Sequence, residues 1–148
     1  MSDERTERTR IESKLEIQSY IQNLNYALIH GAAITFQAER QVDCSRDLRY
    51  TNRFTVANLF MNENPVDVLK RELQKLTVEE YMRTVKDLRF PKRSEMREFG
   101  KVYHEKDDVY IKIRVELLAA CGKHTVFVMS FHYAVIPFTK DMFPYRSK

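Results

Sequence analysis

The apolar positions of this chain follow a helical period, then a strand period, then each again. Between Ile11 and His30, the residues Ile17, Ile21, Leu24 and Leu28 recur three or four apart, and Tyr20 and Ala27 widen the same face. This spacing predicts a helix, with Gly31 placed to end it as the residue after the C-cap. Ile34, Phe36 and Ala38 then alternate with Thr35, Gln37 and Glu39, the pattern of a half-buried strand. The stretch from Asp43 to Arg53 is polar and irregular. Thr55 to Met61, with Val56, Leu59 and Phe60, predicts a short helix. Asn64 and Pro65 form a start signal for a helix running to about Lys75, because Asn can cap and Pro suits the first turn. Thr77-Val78-Glu79-Glu80 reads as a capping box and predicts a further helix to about Leu88, which Phe90-Pro91 stops.

After Arg93 the period shortens to two. Phe99 to His104 is a candidate strand, and Asp107-Asp108 a turn. Val109, Ile111, Ile113, Val115 and Leu117 alternate with Tyr110, Lys112, Arg114 and Glu116 in the clearest strand signature of the chain. Cys121-Gly122-Lys123-His124 reads as a turn and Thr125 to Val135 as the last strand. Phe138, Phe143 and Tyr145 in the tail are suited to docking on the domain. The order of elements argues for an α+β fold. The N-terminal helix and short helices would pack on an antiparallel sheet ending in a three-stranded meander, with no parallel crossover, since no helix separates the last three strands.

Length and composition limit the rest. At 148 residues the chain is expected to form a single domain, 1–148, with the densely charged residues 1–10 frayed. Its 43% hydrophobic residues suffice for a core, and 3 Gly with 4 Pro exclude collagen-like and low-complexity classes. No apolar run reaches the ~18 residues of a membrane span, and no secretory apolar region follows the charged start. The expectation is a soluble, cytoplasmic protein without a membrane partner. Cys44 and Cys121 read as two reduced thiols. The net charge of +4 is uneven: Arg83, Lys86, Arg89, Lys92, Arg93, Arg97 and Lys101 outnumber Asp87, Glu95 and Glu98 within one stretch. Such a stretch either forms a solvated basic face or attracts phosphates.

Cys121 and His124 are three apart, but His30, His104 and His132 are scattered, so no zinc pattern is present. Three glycines build neither a dinucleotide-binding turn nor a phosphate loop, and no cofactor is implied. Glu79 and Glu80 fit the first turn of a helix, where acids favour the dipole. One constellation carries chemistry. Tyr110, Lys112 and Arg114 share a strand face, and Ser130 and His132 share one on the next strand, with Val126 and Val128 at the same parity. Cross-strand neighbours lie about 5 Å apart. Such a cluster could serve RNA cleavage by the 2′-hydroxyl. That reaction needs a base, cations for charge on the phosphate, and an acid for the leaving 5′-oxygen. Histidine suits proton transfer, Arg and Lys suit the phosphate, and Tyr can donate or stack. The competing reading is a solvated sheet face with a hydrogen-bonded core histidine.

The succession Leu76-Thr77-Val78-Glu79-Glu80-Tyr81-Met82-Arg83, Gly100-Lys101-Val102-Tyr103, Val109-Tyr110-Ile111-Lys112 and Val128-Met129-Ser130-Phe131-His132 resembles the motility quorum-sensing regulator (MqsR) toxin family, one of the RelE-like ribonuclease toxins. The resemblance spans roughly residues 49–133 and rests on order and spacing. It implies a metal-independent endoribonuclease toxin acting on RNA, free or as ribosome-bound mRNA, with a protein antitoxin as partner. It implies His132, Tyr110, Lys112 and Arg83 as catalytic residues, with Arg83 on the helix before the sheet. Lys92, Arg93, Arg97, Lys101 and Arg114 would meet the RNA. Two departures stand out. The basic residue expected after Ser-Phe is His132, as in relatives of the wider fold. The family's glutamine-bearing Trp-Gln-Asp-Val-Tyr segment reads Phe99-Gly100-Lys101-Val102-Tyr103. The missing glutamine motivates an alternative, a non-catalytic nucleic-acid-binding or regulatory module of the same fold. A protein-interaction domain with a basic surface is a third reading.

Overall fold

A computed structural model of the chain describes residues 6–38, 47–116 and 124–146; Cys44, Cys121, Leu117 and most of the Cys121–His124 turn lie outside these. The described elements are β1 (Glu7–Arg10), α1 (Lys14–Ile29), β2 (Ala33–Phe36), α2 (Asn52–Leu59), α3 (Pro65–Leu73), β3 (Tyr81–Asp87), β4 (Met96–Tyr103), β5 (Asp107–Glu116) and β6 (Thr125–Tyr133). Six strands form one mixed sheet in the order β1-β3-β4-β5-β6-β2. The α+β expectation and the meander hold, since β3 to β6 run antiparallel in sequence order.

The sheet is nonetheless not purely antiparallel. β2 pairs parallel with β6, Ala33 to Phe36 lying beside Thr125 to Val128. The turn at Gly31 (φ 76°) brings the chain out of α1 at the start of β6, where Ala33 N–H donates to the His124 carbonyl at 3.0 Å. Residues 7–10, expected to fray, instead pair antiparallel with β3 and form the far edge of the sheet.

The helix starts follow local chemistry. Ser13 caps α1 in a reciprocal capping box with Glu16, and Asn64 Oδ1 accepts from the N–H groups of Val66 and Asp67 ahead of Pro65-initiated α3. At Thr77 the capping box is present but holds only a single 3₁₀ turn, Val78–Glu80. The helix expected to run to Leu88 is strand β3, so Arg83 sits on a strand. The misreading has a physical source. A bulge between Tyr81 and Arg83 leaves Tyr81, Thr84 and Val85 buried at i, i+3 and i+4, which imitates a helical stripe. Pairing with β1 on one side and β4 on the other then decides for strand.

One face of the sheet carries the core. Phe99, Ile111, Ile113, Val126, Val128 and Phe131 pack with Ile17, Leu24 and Leu28 of α1 and Val68, Leu69 and Leu73 of α3. Alternation sends the residues between them to the opposite face.

Candidate active site

The site is built on that opposite face by strand register. Gly100 lies opposite Tyr110, and Tyr110 opposite His132. One step along, Arg83 lies opposite Glu98, Glu98 opposite Lys112, and Lys112 opposite Ser130. The first row thus crosses three strands and the second four.

The register depends on a bulge in β6. Lys112 pairs with Ser130 but Ile113 with Val128, so Met129 is the extra residue. Simple alternation along β6 therefore fails. Phe127 shares the site face with Ser130 and His132, whereas Val126 and Val128 join the core. Asn52, at the start of α2, secures the bulge. Its Nδ2 donates to the carbonyls of Met129 (2.9 Å) and Gln37 (2.8 Å), and its Oδ1 accepts from Phe131 N–H (3.0 Å). Thr55 Oγ1 accepts from Tyr133 N–H at 2.9 Å. Where β2 ends, α2 takes over the pairing of the β6 edge and satisfies buried backbone groups.

His132 is 6% exposed, with Nδ1 2.8 Å from the carbonyl oxygen of Tyr133. A carbonyl only accepts, so this contact calls for a proton on Nδ1, and whenever the ring is neutral Nε2 is then its basic nitrogen. The ring is 5.4 Å from that of Tyr110, tilted by 45°. Burial pushes the Tyr110 phenol well above its usual range, and the charge and hydrogen bond of Glu98 push it further the same way. Tyr110 is therefore a proton-bearing donor.

Beneath them lies Glu98, only 2% exposed. Arg83 Nε donates to its Oε1 at 2.8 Å, and Lys112 Nζ stands 4.0 Å from its Oε2. The Arg83 side chain is half exposed. Glu98 organises the cluster, and the strand pattern held a signal for it: it has the parity of Gly100, away from Phe99. Its acidity within a basic stretch hid that signal.

The C-terminal segment walls this surface into a cleft of about 570 Å³ whose floor includes Arg83, Glu98, Tyr110 and His132. Asp108 anchors the segment, accepting from Ala134 N–H (2.8 Å) with its backbone oxygen and from Phe138 N–H (2.9 Å) with its carboxylate. Phe138 and Phe143 pack edge to face over Gly100, where a Cβ would come within 2.7 Å of Phe143 Cζ and 2.8 Å of Phe138 Cε2. The absence of a side chain at Gly100 thus makes room for the tail. The tail docks as anticipated: Phe143 is 3% exposed, and the Tyr145 hydroxyl donates to the Glu12 carbonyl.

Of the residues singled out from the sequence, Arg83, Tyr110 and His132 line this cleft. Lys112 reaches the cluster through Glu98 and also lies 4.0 Å from Glu7 of β1. Arg114 shares the face but is farther along, over the Phe127 ring at 4.9 Å and 3.3 Å from Glu116. Lys92 and Arg93 lie on the exposed β3–β4 turn, with Arg93 over the Phe90 ring at 3.8 Å. Arg97 and Lys101 do not join them. They have the parity of Phe99 and face the other side of the sheet, where Arg97 binds Glu12 through Nε (2.8 Å) and Nη2 (2.9 Å), and Lys101 binds Glu80 (3.0 Å). Among the described residues no group of three His, Cys, Asp or Glu is placed to hold a metal ion. The described residues also contain no helix long and apolar enough to cross a membrane.

The site thus combines a buried histidine set against a backbone carbonyl, a protonated phenol and a carboxylate-oriented arginine in a cleft on one face of an α+β sheet. No protein-family model, no curated protein and no solved structure matches this chain.

Proposed function

We propose that this protein is an endoribonuclease that cleaves RNA through the 2′-hydroxyl with its own side chains. The observation that carries the reading is the pairing of His132 with Tyr110 in the same cleft as Arg83. His132 Nε2 takes the proton of the 2′-hydroxyl as that oxygen attacks the phosphorus. The bond from phosphorus to the 5′-oxygen breaks, leaving a 2′,3′-cyclic phosphate. The departing 5′-oxygen receives a proton from the protonated His132 or from Tyr110. Arg83, aided by Lys112, stabilises the charge that develops on the phosphate. Lys92, Arg93 and Arg114 are the remaining cations for the RNA backbone. Arg97 and Lys101 have no part in this reading, because their partners hold them on the other face.

The resemblance over residues 49–133 extends the proposal to a RelE-like toxin of a toxin–antitoxin pair, acting on cytoplasmic mRNA and restrained by a protein antitoxin. The test is incubation of purified protein with single-stranded RNA, wild type beside His132→Ala, with analysis of the product ends. Cyclic-phosphate products from wild type, reduced at least about a hundredfold in the variant, are expected for loss of an acid–base group. Equal cleavage by both proteins would remove His132 from the mechanism.

The second reading, a non-catalytic nucleic-acid-binding or regulatory module, has its own observation. The Arg83 charge is already met by Glu98 at 2.8 Å, which leaves the cleft floor without a clear positive excess. Salt-dependent RNA binding without cleavage, unchanged in His132→Ala, is the outcome that selects it.

A further inference from the structure

We infer that the apolar half of the cleft is a subsite for a nucleobase bearing an exocyclic amine, and that Asp141 is the acceptor that selects it; this rests on the ribonuclease reading above. The cleft has two unlike parts. Its floor is the Arg83, Glu98, Tyr110 and His132 cluster, while Met82, Val135, Ile136, Phe138, Met142 and Pro144 contribute an apolar wall. Val135 and Ile136 are 52% and 69% exposed, although both are large and apolar. Apolar surface left uncovered beside a polar cluster suits the flat face of an unstacked base.

Asp141 is the polar side chain that the C-terminal segment brings to this wall. The Thr139 hydroxyl donates to Asp141 Oδ1, and that bond holds the carboxyl below its usual range. An ionised carboxylate offers about four acceptor positions and no donor. It therefore accepts from the amine of cytosine, adenine or guanine, and it faces only carbonyl oxygen at the corresponding position of uracil. Its charge also disfavours a phosphate at the wall. The phosphate is thereby directed to Arg83 while the base occupies the apolar part.

Two readouts test this on the full chain. The first is the affinity of cytidine 3′-monophosphate against uridine 3′-monophosphate, by titration with wild type, Asp141→Asn and Ile136→Ser. Wild type is expected to prefer the cytidine nucleotide by about tenfold, the scale of one base-specific contact. Asp141→Asn, whose amide both donates and accepts, should bring the ratio close to one. Ile136→Ser should weaken both nucleotides together. Equal binding by wild type, a ratio that survives Asp141→Asn, or no binding of either nucleotide would overturn the subsite.

The second readout is cleavage of DNA oligonucleotides carrying one ribonucleotide, with the base varied on each side of the scissile phosphate. Slow cleavage with uracil at one of the two positions, relieved in Asp141→Asn, supports the inference. Cleavage indifferent to the base at both positions overturns it and leaves the nuclease standing. A preference for the cytidine nucleotide without any cleavage retains the subsite and removes the ribonuclease reading.

Discussion

At residue scale the governing group is Glu98. It places a buried carboxylate against Arg83, near Lys112, and in hydrogen-bonding reach of the Tyr110 phenol. Removing it takes away the acceptor that holds Arg83 and one of the two carboxylates near the largely buried Lys112 ammonium, the other being Glu7. A buried polar group that loses its partner costs about 1–3 kcal/mol. Glu98→Ala is therefore expected to lower stability to urea by that amount, and Glu98→Gln, which keeps an acceptor in place, by less. A loss within about 0.5 kcal/mol for both, the size of an ordinary surface change, would show that the cluster does not depend on this carboxylate. Gly100 is a second residue of consequence, because any side chain there meets Phe138 and Phe143.

At the scale of elements, α2 matters less as a helix than as an edge for β6. A helix of eight residues is marginal on its own. Through Asn52 and Thr55 it nevertheless satisfies backbone groups at Met129, Phe131 and Tyr133, the residues that flank and hold His132. Asn52→Ala would leave the Phe131 N–H and the Met129 carbonyl without these partners. The expected cost is about 1–3 kcal/mol for the buried Phe131 N–H, with a smaller addition from the part-buried Met129 carbonyl, and faster amide exchange at Phe131 is the local signature. Unchanged exchange at Phe131 would mean that the bulge is held by the sheet alone. Local pattern and tertiary pairing likewise part at β3, whose residues predict a helix. Its bulge gave a strand the burial spacing of a helix, and its capping box was real but satisfied by a single turn.

At the scale of the whole molecule, Glu12 ties four parts of the chain together. Its carboxylate accepts from Arg97 of β4 and from the Thr84 hydroxyl of β3, and its backbone meets Tyr81 of β3 and Tyr145 of the tail. Burial alone would raise its pKa. The hydrogen bonds from Arg97 and Thr84, with the charges of Arg97 and Arg10, outweigh burial and hold it below the ordinary 4.5. The unfolded chain then binds a proton at higher pH than the folded one does. Glu12 therefore contributes stability that is fully present above about pH 4.5 and is lost as pH falls through its folded-state value. Glu12→Gln is expected to flatten the acid side of a stability–pH profile measured by denaturant midpoint. An acid limb as steep as that of wild type would assign it to other carboxylates, of which Glu72, also held low, is the first to test.

Much of this protein was determined by local sequence. The α1 stripe, the caps at Asn64 and Gly31 and the alternation of β5 each depend on residues a few positions apart, so their physics is written in the chain itself. The pairing of Tyr110 with His132 needed one further fact, the register between β5 and β6. Tertiary structure alone decided the rest. The parallel pairing of β2 with β6 joins residues about ninety positions apart. The bulge at Met129 is held by Asn52, and it puts Phe127 rather than Val128 on the face of Ser130 and His132, against simple alternation. On the far face Arg97 and Lys101 find their partners in Glu12 and Glu80, and Gly100 yields to the tail. Those outcomes turn on which distant group satisfies a buried charge or backbone atom. A linear pattern does not carry that choice, because burial and its partners exist only once the sheet has closed.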